Sequence, residues 1–210
     1  MRGMKDFRSK PSVLYSSISL ITLGAILSGG FLLLRPHRVA ADTTSDDEVM
    51  RIKVGYAIAP VPLNVGNKDS ALVGLGSYYV NAHAACADCH SCPTYAPGHN
   101  PYPPPVGVSG DGQMNAANYL AGGVPFTLPP PVGTIKSDNL TPNANGLPAG
   151  LTLQQFVTLM RTGTDPQGSK LYVMPWPEYR YMTDRDLLAI YTYLSAIPPA
   201  QPGSCVAPGQ

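Results

Sequence analysis

Cys86-Ala87-Asp88-Cys89-His90 is a C-x-x-C-H run, and two thiols at that spacing followed at once by an imidazole are the donor set for covalent attachment of a c-type haem. Thiols separated by two residues reach the two vinyl groups on one edge of the macrocycle, and the adjacent imidazole swings beneath it to bind iron. On this reading Cys86 and Cys89 become thioethers and His90 the proximal ligand. The motif occurs once, so one covalent haem c is expected. Zinc is the competing reading, because Cys92 extends the cluster to three thiols and one imidazole. Structural zinc sites, however, close their tetrahedron with a second Cys/His pair further along the chain, and adjacent Cys89 and His90 are badly placed to grip one small ion together.

A haem of this kind needs helices to hold it. From Asp69 to about Ala85 the pattern is helical, with Leu72, Leu75, Tyr79 and Ala82 on one apolar face that leads into the motif. Gly76 is costly in such a helix, and its physical use is the close approach of another helix. The candidate partner starts at Thr183, where Thr183-Asp184-Arg185-Asp186 forms a variant capping box. Leu187, Ile190, Tyr191 and Leu194 follow at helical spacing until Pro198 and Pro199 stop the run. Thr152-Leu153-Gln154-Gln155 is a second capping box, opening a helix through Phe156, Leu159 and Met160 to Gly163. With 23 Pro and 21 Gly in 210 residues, the connections are long and stiffened. The expected fold is all-α: three to four helices around one covalent haem that supplies much of the core.

The chain ahead of that domain divides in two. Residues 1 to 12 carry Arg2, Lys5, Arg8 and Lys10 against Asp6, and Val13 to Leu34 is a run of 22 apolar and small residues without a charge. That suffices for one membrane-spanning helix, and the basic flank directs the remainder outward, to the periplasmic side of the inner membrane. Val39-Ala40-Ala41 also offers small residues to a signal peptidase, although a removed signal has an apolar core of only roughly 7 to 15 residues. The alternative is thus a soluble periplasmic protein cleaved near Ala41. Residues 39 to 68, with an acidic Ser/Thr-rich start and two prolines, read as a tether. The expected divisions are an anchor or signal segment at 1–38, that tether at 39–68, the haem domain at 69–199 and a tail at 200–210.

Residues 42 to 210 hold eight Lys/Arg and twelve Asp/Glu, so the exported part is negative. Nucleic acid is thereby excluded as a natural partner, because phosphate binding needs a basic surface. No Walker or Rossmann glycine motif and no catalytic triad is evident, and no small-molecule substrate is expected.

The run from Asn139 to Pro199, with the segments NLTP, GLPAGLT, MRTG, VMPWPEYRYMTDRDLLAIYTYL and SAIPP, resembles class I monohaem cytochrome c domains. It is most similar to those in the cytochrome subunits of bacterial membrane-bound alcohol and sugar dehydrogenases. The likeness spans roughly residues 69 to 199. Those subunits usually carry three C-x-x-C-H motifs where this chain has one, so the resemblance supports the fold and the redox role without identifying a partner.

The resemblance implies a class I fold, in which a distal methionine sits on an extended loop before the last helix. Met174 precedes Pro175 and lies nine residues before Thr183, which makes it the expected sixth ligand. Met182 abuts the helix cap and is next in line, although a contact at the helix entrance suits it better. Met160 and Met114 read as core or loop residues. His83 lies too close to His90 to reach the opposite haem face, and His99, in a Pro-rich loop, is the remaining competitor. A carbonyl from the Pro93 to Pro105 loop is expected to accept the free N–H of His90. Asn139, Arg161, Trp176 and Tyr181 are candidate haem-propionate partners by family position and donor chemistry.

Cys92 and Cys205 remain once the haem is attached, and leftover thiols in an oxidising compartment commonly pair. The functional expectation is a membrane-anchored periplasmic cytochrome, passing single electrons between redox protein partners of respiratory or dehydrogenase type. It is expected to be a carrier, or the cytochrome subunit of an oxidoreductase complex, and not itself an enzyme. The alternative is a haem enzyme, or a gas or redox sensor, with an open distal position.

Overall fold

The computed structural model describes residues 45–102 and 109–205, all within one compact unit, Asp42–Gln210. Four helices carry the architecture: α1 (Asp46–Ile58), α2 (Ser70–Tyr78), α4 (Leu153–Thr162) and α6 (Asp184–Leu194). Two shorter ones, α3 (Cys86–His90) and α5 (Trp176–Tyr179), sit at the candidate site. The domain is mostly helical, as expected. No helix among the described residues is long and apolar enough to cross a membrane, and the candidate span Val13–Leu34 lies outside them.

Part of the expected tether is helical. Residues 46–58 form α1, capped by the Ser45 side chain on the Glu48 amide and opened by Asp46, Asp47 and Glu48, whose charges suit a helix N-terminus. Its outward side chains Met50, Val54 and Ile58 stay exposed, so the sequence shows no clean apolar stripe. What anchors the helix is backbone proximity: a methyl on Gly55 would fall 1.9 Å from the Gly74 carbonyl oxygen.

This packing changes α2 as well. Val73, Gly74, Leu75, Gly76 and Ser77 are all buried, because α2 is covered on one side by α1 and on another by α6. Leu72 is only partly buried and Ala82 is exposed, so the expected single face is replaced by two. Gly76 serves the purpose foreseen for it: a Cβ there would lie 1.9 Å from the Ala189 carbonyl oxygen and 2.7 Å from Tyr193 Cβ. At that crossing Tyr119, Tyr193 and Asn81 join in a hydrogen-bonded cluster, with the Tyr119 and Tyr193 hydroxyls 2.9 Å apart. Desolvation raises the pKa of both phenols, which keeps them neutral.

Both foreseen capping boxes are closed in each direction. Thr152 N–H donates to Gln155 Oε1 at 2.9 Å, and Thr183 N–H to Asp186 Oδ2 at 2.9 Å, while each threonine hydroxyl accepts from the residue three further on. Gly163 ends α4 at φ 62°, where it accommodates the Trp176 indole: a Cβ would meet that ring at 2.3 Å. α6 buries Leu187, Ala189, Ile190, Tyr193 and Leu194, and Tyr191 donates to the Leu151 carbonyl at 2.9 Å. An antiparallel hairpin, β1 (Pro125–Thr127) with β2 (Thr134–Lys136), is an addition to the expected all-α fold. Three-residue strands are too short to show alternation in a sequence.

Candidate functional site

α2 does not run straight into the motif. It widens into a π turn at Tyr79–His83, and Ala85 follows in the left-handed region at φ 49°. The wide turn and the left-handed residue separate α3 from α2, and Tyr179 on α5 fastens the joint by donating to the Ala84 carbonyl at 2.8 Å. Residues at π turns and at positive φ often mark functional positions.

α3 presents Cys86, Cys89 and His90 to a cavity of about 340 Å3, whose other walls include Phe126, Ile135 and Met174. An adjoining cavity of about 290 Å3 shares Cys86, Leu140 and Met174 with the first and reaches Met160 and Phe156. Cys86 is partly buried and Cys89 exposed, and neither is in a disulfide. Burial pushes the Cys86 thiol up to about 12, and burial followed by the Asp88 charge raises that of Cys89. Both are therefore neutral thiols at an apolar wall. Among the described residues no three His, Cys, Asp or Glu side chains converge as a metal ion would require.

His90 is fixed at both ends. Its carbonyl accepts from Gly122 N–H at 2.7 Å, and its Nδ1 lies 2.8 Å from the Asp138 carbonyl oxygen. A carbonyl can only accept, so Nδ1 carries the proton and Nε2 keeps its lone pair for a metal. Burial lowers the pKa of the ring against the opposing pull of the Asp138 carbonyl, which favours this neutral form. The acceptor expected from the Pro93–Pro105 loop is corrected to Asp138. Tyr95 of that loop bridges to Met114, whereas the segment after β2 brings the Asp138 carbonyl to the motif.

Met174 lines both cavities. Met182 packs against the core and lines neither. Met160 is buried in the core at the second cavity, and Met114 is a partly buried loop residue. His83 is exposed beside Tyr79, and His99 is held in a surface loop by Asp111, 2.7 Å away. Among the described residues Met174 is thus the one methionine that shares a cavity with all three motif side chains. Two neutral thiols, a neutral imidazole with one nitrogen free, a thioether and apolar walls are a donor set that fits a covalent haem.

The candidate propionate partners are placed as follows. Asn139 lines the second cavity, but its side chain donates to the Ala200 carbonyl at 2.8 Å and accepts from Thr141. Arg161 donates to the Arg180 carbonyl and pairs with Asp184 at 2.8 Å. Trp176 packs on Gly163, and Tyr181 is exposed beneath the Arg180 guanidinium. Arg161, Trp176 and Tyr181 line neither cavity. Two cations the sequence reading passed over, Lys136 on β2 and Lys170, do line the first. Only the unseen hairpin could have pointed to Lys136. Cys92 is fully buried and is joined to Cys205, with Cα atoms 5.1 Å apart.

The relatives bear on what this donor set serves. The chain is similar to cytochrome c subunits of dehydrogenases. It is 31% identical over 164 residues to the cytochrome c subunit of alcohol dehydrogenase (quinone) from Gluconacetobacter polyoxogenes, a match covering 73% of this chain and 30% of that protein. It is 33% identical over 118 residues to the fructose dehydrogenase cytochrome subunit of Gluconobacter japonicus, covering 56% and 20%. With the gluconate 2-dehydrogenase cytochrome c subunit of Pantoea cypripedii it shares 31% over 126 residues, covering 60% and 23%. The chain thus spans less than a third of the length of these relatives. No family model matches it.

Proposed function

We propose that this protein is a membrane-anchored periplasmic c-type cytochrome that carries single electrons within a dehydrogenase or respiratory assembly, through one haem ligated by His90 and Met174. The observation that carries the reading is the sharing of one apolar cavity by Cys86, Cys89, His90 and Met174.

When bound, the haem supplies a one-electron ferric/ferrous couple. Cys86 and Cys89 tether it by thioether bonds. His90 offers Nε2 to the iron while Asp138 holds its Nδ1–H, which fixes the ring plane and strengthens its donation. Met174 offers a soft thioether, which favours the ferrous state and raises the potential. Phe126, Ile135 and Leu140 line the cavity and would shield the ring from water. Lys136 and Lys170 are available at the wall for the propionates.

The relatives' names place them as cytochrome subunits of dehydrogenases that act on alcohol, fructose and gluconate. That supports redox proteins as the partners and argues for a transfer subunit over a catalytic one. The apolar run Val13–Leu34 supports the membrane anchor and the periplasmic address.

The ferric spectrum tests the ligand set. The low-spin form should show the far-red Met-to-iron charge-transfer band and should not bind carbon monoxide when reduced. A high-spin ferric spectrum with prompt carbon monoxide binding would contradict the carrier.

A further inference from the structure

The carboxyl end of the described chain, Ala200–Cys205, lies against the backbone that holds His90. Gly203 donates its N–H to the Ala121 carbonyl at 2.7 Å, and the next residue, Gly122, donates its own N–H to the His90 carbonyl at 2.7 Å. The contact is main chain on main chain. A methyl on Gly203 would fall 2.3 Å from the Gly122 oxygen, and one on Gly123 would fall 2.0 Å from the Gly203 oxygen. On its other side Gly122 meets the second anchor of His90: a methyl there would lie 2.6 Å from the Asp138 carbonyl oxygen, the acceptor of the Nδ1–H. Tail, middle segment and acceptor are therefore stacked with no side chain between them.

This stack is fastened at both ends. Cys205 is joined to Cys92, two residues beyond His90 and fully buried. At the other end the Ala200 carbonyl accepts from Asn139 Nδ2 at 2.8 Å, and Ala200 N–H donates to Thr141 Oγ1 at 3.0 Å. Asn139 follows Asp138 directly. One fastening therefore lies beside the ligand and the other beside its acceptor, and the strap spans both.

We propose that Ala200–Cys205 is a strap that sets the geometry of the axial imidazole, with Cys92, Cys205, Gly203 and Asn139 as positioning residues acting through the Gly122 and Asp138 backbone. The inference rests on His90 being the axial ligand of a covalent haem. A tail that merely stabilised the fold would change the unfolding temperature and nothing else. A strap that compresses both anchors of His90 controls the Nδ1–H···O bond, and through it the basicity of the nitrogen that faces iron.

The test uses the full-length holoprotein and two readouts: the ferric EPR g-values and the solvent exchange of the His90 Nδ1–H in the diamagnetic ferrous state. Cys92→Ser/Cys205→Ser opens one fastening, and Gly203→Ala pushes the strap outward with the disulfide kept, so it serves if the double variant fails to fold. Glu48→Gln, which removes the ion pair to Arg185 on α6, is the control for stability alone. Both strap variants should exchange the Nδ1–H about tenfold faster or more, as expected of local opening, and shift the g-values, while the control leaves both readouts unchanged. Covalent haem with wild-type exchange and g-values in both strap variants would overturn the strap and leave the haem reading standing. A wild-type chain without covalent haem would overturn the haem reading and the strap together.

Discussion

The Nδ1–H of His90 donates to the backbone carbonyl of Asp138 at 2.8 Å, across 48 positions of sequence. Because the acceptor is main chain, the Asp138 side chain is dispensable for orientation. Asp138→Ala should keep the wild-type low-spin spectrum. Gly122→Ala should not, since its Cβ would press on that carbonyl from a backbone at φ 72°. Optical and EPR spectra of the two variants check this, and a perturbed Asp138→Ala with a silent Gly122→Ala would reverse the assignment.

Met174 and Met182 separate ligand from packing. Met174→Ala should abolish the far-red charge-transfer band, open the reduced haem to carbon monoxide and lower the potential. Met182→Ala should keep the band and lose stability, by less than the roughly 2–5 kcal/mol of a fully buried site because its side chain is only partly buried. Absorption spectra and thermal melts distinguish the two.

The crossing of α2 and α6 leaves no room for a side chain at Gly76. Gly76→Ala places a methyl 1.9 Å from the Ala189 carbonyl, and overpacking of that kind costs about 1–3 kcal/mol or more. Gly168→Ala, where a Cβ meets nothing within 4 Å but φ is 87°, tests backbone strain alone and should cost less. Denaturant melts of the two variants give the comparison.

Tyr79, at the C-cap of α2, and Asp186 on α6 are tied through a 2.6 Å hydrogen bond, and the two groups act with opposite signs in pH. Burial works to raise the Asp186 carboxyl, but the Tyr79 hydroxyl and Thr183 hold it below its ordinary value of 3.8. Its folded form binds fewer protons, so that contribution is present above pH 3.8 and fades as the pH falls through the lower folded value. The Tyr79 phenol is pushed up to about 12, first by burial and then by Asp186. Its contribution is complete below the ordinary value of 10.0 and fades as the pH rises toward 12. Tyr79→Phe should therefore flatten both the acid and the alkaline limbs of a plot of melting temperature against pH.

What was legible in the sequence is what obeys a local rule. Thr152, Thr183 and Gly163 announce helix ends because capping is chemistry between residues close in sequence, and Gly76 announces a crossing because an interior glycine needs a reason. Asp138 could not be found, since a backbone carbonyl leaves no residue-type signature. α1 gives no such signal because glycine contact with α2, rather than an apolar stripe, holds it, and the tie of Asn139 to Ala200 is not legible because it depends on a tail with no periodicity. The hairpin at Pro125–Lys136, and with it Lys136, stayed hidden in strands of three residues.

Attachment of the haem is the claim on which the rest depends, and intact mass after denaturation and acid-acetone extraction measures it directly. The account predicts a chain heavier by one haem, with the increment retained after extraction and lost in Cys86→Ser/Cys89→Ser. An unmodified mass, an extractable haem or a second haem on the chain would contradict it.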